Sequence, residues 1–325
     1  MDRRNLDEAI RKQSEMLANR AKKRYRHYAK RYGKQCIEAF RLYDWDIPEI
    51  RAVVDWYAGH LVVGEYTRKQ SVPEWLPRMA DAVAAALDVP PERVHLKERR
   101  AGFADGKRYE RLDFTGRKIP VSERDFTFLV NPEDFVDTGL FSDHRDTREM
   151  VRSLAAGVDF LNLYCYTGTF TCYAIRGGAR SSVSVDRSET AIQWAGENLA
   201  LNGLAGADHV LRQAPALDYL ARARREGVAF DLAVVDPPSF SKTEATGEDF
   251  DILRDHPALL AAVVAVTRPG GTIFFSTNHQ DFYFRPPLEL ESADVREITR
   301  QTVPEDYARK RAPIHRCWKI TLPDR

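Results

Sequence analysis

VDFLNLYCYTGTFTCYAIRGGARSSVSVD, residues Val158 to Asp186, is the stretch that decides the fold. Val158 to Tyr164 is an apolar run with the length of one buried strand. Cys165 to Thr169 is a turn with Gly168 inside it, and Phe170 to Arg176 has helical character that stops at Gly177-Gly178. Ser182 to Val185 reads as a second strand, and it ends on an acid, Asp186. Strand, tight loop, helix, strand is the unit of a doubly wound sheet, which holds nucleoside-like ligands at the carboxyl ends of its strands. A carboxylate there accepts both hydroxyls of a ribose. Dinucleotides need G-x-G-x-x-G so that the backbone can approach two phosphates. This loop has one glycine, which favours S-adenosylmethionine, a nucleoside without phosphate, over NAD.

The pattern continues downstream. Ser188 is an N-cap for a helix with the apolar face Ala191, Ile192, Trp194, Ala195 and Leu199, closed by Asn202-Gly203. His209 to Ala214 is a third strand, Leu217 to Arg225 a helix, and Phe230 to Asp236 a fourth strand that also ends on an acid. Ala258 to Val266 is helical, Pro269-Gly270-Gly271 turns into a strand over Thr272 to Ser276, and Val295 to Thr299 and Cys317 to Leu322 complete the set, the last one antiparallel. Alternating strands and helices predict an α/β fold with a Rossmann-like sheet over residues 136–325.

Upstream, residues 36–135 read as a small α+β accessory domain that docks substrate. Its strands are Cys36 to Tyr43, Ala52 to Tyr57, Leu61 to Tyr66, Arg93 to Glu98, Arg108 to Phe114 and Phe126 to Val130, with a helix over Pro73 to Leu87. Residues 1–35 read as a separate basic helix. They carry twelve Lys/Arg against four acids, a net +8, whereas the whole chain is +1. Such asymmetry points to a nucleic acid. Lys22, Lys23, Arg24, Arg26, Lys30 and Arg31 interleave with Tyr25, Tyr28 and Tyr32, which either stack on RNA bases or dock on the protein itself.

The 325 residues are 43% hydrophobic, enough for a sizeable core, and no apolar run reaches a membrane span. The four cysteines are scattered without a C-x-x-C, so neither a disulfide framework nor a zinc site is expected, and a cytoplasmic setting fits. His256, His279 and His315 match no metal-ligand spacing.

Asp236-Pro237-Pro238-Ser239-Phe240 follows the fourth strand. Two prolines fix the backbone, so the carboxylate and the Phe240 ring are presented rigidly, which suits a planar heteroaromatic substrate. Asn278 and Arg254 are candidate substrate contacts.

NLYCYTGTF, SVDRS, ENLALNGL, DPPSFS, FDILRDH, GGTIFFSTN and IHRCW, in that order and with TGLFSDHR upstream, resemble the S-adenosylmethionine-dependent methyltransferases of large-subunit ribosomal RNA. The nearest resemblance is to the RlmK half of the bifunctional RlmKL enzymes, which methylate guanine N7. It implies that Asp186 holds the cofactor ribose, that Asn162, Tyr166, Thr167 and Gly168 pass its methionine end, that Arg187, Ser188 and Asn202 also bind the cofactor, and that Phe141, Asp143, His144 and Arg145 close the pocket. Asp236 would lie near the sulfonium. The acid that meets the adenine in the family is absent; Gln213 or the Ala214 backbone stands in its place. Relatives that methylate pyrimidine C5 carry a cysteine nucleophile after the fifth strand, where this chain has Ser276-Thr277-Asn278-His279. The implied function is transfer to guanine N7 of 23S ribosomal RNA without a metal or a covalent enzyme intermediate. The alternatives are an exocyclic amine such as adenine N6, or an RNA-binding assembly protein. A separate protein in place of the fused half is a further expectation.

Overall fold

The computed structural model describes residues 3–67, 72–100, 113–241, 249–309 and 312–324. The chain divides into two compact units. The first comprises Met1–Phe103, Lys107–Thr138 and Glu305–Arg311; the second comprises Gly139–Pro304 and Ala312–Arg325 together with Ala104–Gly106.

In the first unit, helix α1 (Arg3–Gly33) precedes β1 (Ala39–Asp44), β2 (Ala52–Tyr57) and β3 (His60–Thr67). Helix α2 (Trp75–Leu87) then crosses over to β4 (Val94–Arg100). The sheet order is β1-β2-β3-β4, antiparallel except for the parallel pair β3/β4, which needs such a crossover. A hairpin of β5 (Ile119–Glu123) and β6 (Phe126–Val130) follows. The strand predicted over Arg108 to Phe114 lies mostly outside the described residues, and β5 was not predicted, its Ile-Pro-Val-Ser-Glu being too short and mixed to stand out.

The basic helix is part of this unit's core rather than a separate piece. Leu17, Ala21, Tyr28 and Tyr32 are buried with Phe40, Leu42, Val54, Leu61, Met79 and Val83 in one cluster. Tyr28 stacks on Tyr32 at 5.4 Å, and Tyr25 lies 4.6 Å from Trp56. The tyrosines therefore dock on the protein and are not free for bases. The unit is completed by Glu305–Arg311, far away in sequence. Asp306 accepts hydrogen bonds from the Tyr32 hydroxyl (2.8 Å) and the Arg41 amide (3.0 Å). Arg41, itself buried, pairs with Asp55 and Asp44 and lies over the Tyr307 ring.

In the second unit, α3 (Arg145–Ser153) leads into β7 (Asp159–Leu163), α4 (Thr169–Arg176), β8 (Ser181–Asp186), α5 (Glu189–Leu201), β9 (His209–Gln213), α6 (Ala216–Arg225) and β10 (Phe230–Val235). The short strands β11 (Phe240–Ser241) and β12 (Phe250–Asp251) pair, and α7 (Ile252–Val264), β13 (Thr267–Thr277), β14 (Asp294–Glu297), α8 (Thr299–Thr302) and β15 (Arg316–Thr321) finish the chain. The sheet order is β14-β15-β13-β10-β7-β8-β9. The five strands from β13 to β9 are parallel, and β15 is antiparallel to β13, as the sequence suggests. Side chains alternate between the faces. Phe160, Leu232, Val234 and Phe274 pack with Val151, Phe170 and Ala174, while Leu161, Ala233, Val235 and Phe275 pack with residues of α6 and α7.

Helix α7 starts six residues before the predicted helix because Pro257 lies inside it. A proline there leaves the carbonyl of the residue four earlier without its helical donor. That residue is Leu253, whose carbonyl accepts instead from the Arg285 guanidinium.

Tyr28→Ala should destabilise the protein by about 3 kcal/mol in urea unfolding, the scale of a buried aromatic truncation. Lys23→Ala, on the exposed side of the same helix, should change stability by less than about 0.5 kcal/mol.

Candidate active site

The strand order reverses between β7 and β10, which is the switch point where open α/β sheets bind ligands. The register places Asp186 and Asp236 one on each side of the β7 tip, since Leu163 is level with both Val185 and Val235. Two strand spacings put their backbones about 10 Å apart.

Asp186 is held by the backbone. Oδ2 accepts from the Tyr166 amide at 3.0 Å and Oδ1 from the Ser188 amide at 2.9 Å. Burial pushes its carboxyl above the usual aspartate value, against these two hydrogen bonds. Each oxygen keeps a second lone pair, so the pair suits a diol donor. Ser188 caps α5 through the Ala191 amide. Gln213 is level with Asp186 on β9, its side-chain amide 3.4 Å from the Arg187 carbonyl, and the Ala214 amide donates to the Asp186 carbonyl. Asp186, Arg187, Ser188, Gln213 and Ala214 thus converge at the carboxyl ends of β8 and β9.

The turn after β7 is the tightest piece of the site. Tyr164 (φ 57°), Tyr166 (φ 48°) and Gly168 (φ 74°) all adopt left-handed backbone. A Cβ on Gly168 would stand 2.9 Å from the Ala195 methyl, so only glycine lets α5 approach. Asn198 donates to the Thr167 carbonyl, and the Thr167 hydroxyl donates to the Gly139 carbonyl at 2.6 Å. Gly139 packs against the Trp194 ring, which a Cβ would meet at 2.3 Å. The Phe141 ring lies 5.2 Å from Tyr166, and the buried Arg148 donates to the Phe141 carbonyl. The Phe141–Arg145 loop is therefore fastened to the strand-tip turn.

Two predicted cofactor residues stand apart. Asn202 caps the far end of α5, bonded to the Asn198 carbonyl. Thirteen helical residues separate it from Ser188, a span of about 20 Å. Asn162 is fully buried, and its amide donates to Thr171, which bonds Ser184. Its side chain braces α4 on the sheet rather than facing a ligand. Both readings came from a motif without depth information.

Asp236 is anchored by Ser276, whose hydroxyl donates to Oδ1 at 2.6 Å. The Ser239 hydroxyl donates to the Asn278 side-chain oxygen at 2.8 Å, so the Pro237-Pro238 loop and the loop after β13 are joined. Phe240 opens β11 half-exposed. Arg254 is exposed, but its guanidinium pairs with Asp255 and the Asp249 carbonyl.

His144 is buried, with Nε2 3.7 Å from Asp236 Oδ2 and Nδ1 without a hydrogen-bond partner among the described residues. Burial first, and then His315, lower its pKa to about 4. His315, which sequence reading gave no role beyond its place in IHRCW, stacks on His144 with centroids 4.0 Å apart and planes 12° apart. It bonds Asp143 through Nδ1 (2.9 Å) and Thr302 through Nε2 (3.1 Å). Asp143, His144 and His315 are also the one group among the described residues whose ligand atoms gather within 4.8 Å. Imidazole lone pairs lie in the ring plane, so two parallel stacked rings do not aim at one ion. The cluster is a hydrogen-bonded stack.

The chain is similar to proteins of known kind. Residues 115–301 match the S-adenosylmethionine-dependent methyltransferase family. The chain is 40% identical over 311 residues to Ribosomal RNA large subunit methyltransferase K of Neisseria meningitidis serogroup B, covering 94% of this chain and 86% of that protein. It is 42% identical to Ribosomal RNA large subunit methyltransferase K/L of Methylococcus capsulatus, covering 96% of this chain but 43% of that one. The chain thus spans less than half the length of that K/L relative. A solved S-adenosylmethionine-dependent methyltransferase from Streptococcus mutans shares the fold, with a TM-score of 0.75 at 22% identity over 95% of this chain and 81% of that chain. So does SMU.776, a methyltransferase complexed with SAH, with the same TM-score, identity and coverage.

With Asp186 as the acceptor for a ribose diol, affinity for S-adenosylhomocysteine should fall as pH drops. The raised carboxyl places that fall at higher pH than for an exposed aspartate. Asp186→Asn should weaken binding about 10- to 100-fold at neutral pH, for the loss of about 1.5–3 kcal/mol of charged hydrogen bonding, and should flatten the dependence. Calorimetric titration reads both.

Proposed function

The chain belongs to the family of S-adenosylmethionine-dependent methyltransferases, and we propose that it methylates guanine N7 in 23S ribosomal RNA by direct in-line transfer. The observation that carries the substrate class is the 40% identity to Ribosomal RNA large subunit methyltransferase K, spread over 86% of that protein. Bound at Asp186, S-adenosylmethionine supplies an electrophilic methyl on a sulfonium. Guanine N7 offers a lone pair with no proton to remove, so placing the base does most of the work. The rigid Asp236-Pro237-Pro238-Ser239-Phe240 loop supplies placement, its carboxylate held by Ser276 and its Ser239 tied to Asn278. Guanine becomes cationic as N7 is methylated, and a fixed carboxylate beside it stabilises the developing charge.

The three cysteines of the second unit support transfer without a covalent enzyme intermediate. Cys165, Cys172 and Cys317 are buried, and burial raises each thiol, Cys172 to about 12. A thiol so raised is a poor nucleophile at neutral pH.

RNA affinity is assigned to the outer face of α1. Arg24 pairs with Asp46 and Arg31 with Glu305, so these two serve the fold. Among the described residues, Lys22, Lys23, Arg26 and Lys30 have no ion-pair partner, and they are the side chains proposed to track phosphates. Arg254, paired with Asp255, is a weaker candidate. A cytoplasmic location follows from this substrate; no described helix is long and apolar enough to cross a membrane.

Methyl transfer from labelled S-adenosylmethionine to undermodified ribosomal RNA, followed by nucleoside mass spectrometry, tests the reading. The expected product is 7-methylguanosine, with a rate loss of about 100-fold or more for Asp236→Ala. Label in N6-methyladenosine would replace guanine by the exocyclic-amine reading that D-P-P-S-F also fits. Replacing Lys22, Lys23, Arg26 and Lys30 by Ala should weaken RNA binding and flatten its log–log salt slope by about 0.7–0.9 for each phosphate no longer neutralised. An unchanged slope would remove the helix from the RNA site.

A further inference from the structure

The hydrogen bonds around His315 define its protonation. The Thr302 hydroxyl has one proton, which it donates to the Thr299 carbonyl at 3.0 Å. It therefore accepts from His315, so Nε2 carries a hydrogen. Nδ1 lies 2.9 Å from the Asp143 carboxylate, an acceptor, so it carries a hydrogen as well. A ring that donates from both nitrogens is an imidazolium, and this one is 1% exposed.

His144 lies against that cation face to face. The charged and titratable groups that meet it are Asp143 on its own turn, Arg148 from α3, Asp236 at the tip of β10 and His315 before β15; Phe170 of α4 covers the ring edge-on. His144 Nδ1 is buried and has no hydrogen-bond partner among the described residues. A second positive charge 4.0 Å from His315 is strongly disfavoured in such a setting.

We propose that His315 is a positioning residue that, locked as a cation between Asp143 and Thr302, keeps His144 neutral beside Asp236. This rests on the reading of Asp236 as the carboxylate of the transfer site. Were His144 to take a proton, its Nε2–H would pair with Asp236 across the present 3.7 Å gap. That pairing would neutralise the charge offered to the methylated base. The neutral ring instead leaves the Ser276-anchored carboxylate unopposed. Nothing in the spacing of Asp143, His144, Asp236 and His315 along the chain shows this arrangement. The antiparallel return of β15 brings it about.

The test is the pH dependence of methyl transfer, as kcat/KM between pH 5.5 and 8, for the unaltered protein, His315→Gln and the double variant His315→Gln/His144→Gln. The unaltered protein should show no acidic limb assignable to His144. His315→Gln should lose activity at least tenfold more at pH 5.5 than at pH 8, because His144 now protonates. The double variant should lose that limb, since no imidazole remains to titrate. A His315→Gln profile parallel to that of the unaltered protein, or a loss equal at every pH, would overturn the proposal and leave His315 a packing role. Imidazole nitrogen NMR of the unaltered protein at pH 6.5 needs neither variant nor RNA. His315 doubly protonated and His144 neutral supports the stack; His315 neutral sinks it. This arm stands even if the methylated nucleoside proves not to be guanine, so failure of the substrate reading and failure of the stack are told apart.

Discussion

One buried carboxylate, Asp186, organises the carboxyl edge of the second unit's sheet. It takes one amide from the turn after β7 and one from the start of α5, and so fixes both elements relative to β8. A buried anion without such donors would cost several kcal/mol. With them it becomes the fixed point around which the turn can hold left-handed backbone at Tyr164 and Tyr166. Strain of that kind persists only where the surroundings over-determine it. Here Asn198, Thr167 and the glycine contacts with Ala195 and Trp194 do so.

The same turn recruits the residues before α3. Thr167 binds Gly139, Tyr166 meets Phe141, and Arg148 closes the loop from beneath. This places Asp143 and His144 over the crevice. On the other side of β7, Asp236 is set by Ser276 from β13. Both acids thus stand at the switch point, each fastened by a neighbouring element. The His144–His315 stack extends this logic to charge, because the residue just before the C-terminal strand is the cation that decides its neighbour's state.

How much of this was legible depended on sequence distance. The strands β2 and β6 were read with the observed ends, and β7, β8 and β10 within a residue or two, because apolar runs of strand length bounded by Gly and acids carry their own signal. Helix α7 was read short, since a proline argues against helix until a distant arginine is seen to satisfy the freed carbonyl. The three tyrosines of α1 look alike on paper. Only the sheet beneath shows that they belong to the core, while the helix lysines have no ion-pair partner among the described residues. Asn162 and Asn202 lie in motifs close to the turn after β7, yet one bonds the helix layer and the other sits a full helix away from Ser188.

Read along the chain, the residues already specify the parallel α/β sheet, the two acids at strand tips and the lack of a cysteine nucleophile after the fifth strand, because periodicity, turn residues and residue identity are local properties. Folding in three dimensions was needed to set what each acid touches, which cations of the basic helix are spent on the fold, and that His315 meets Asp143. Those facts are set by pairings between residues as much as 274 positions apart, and such pairings leave no pattern along the chain.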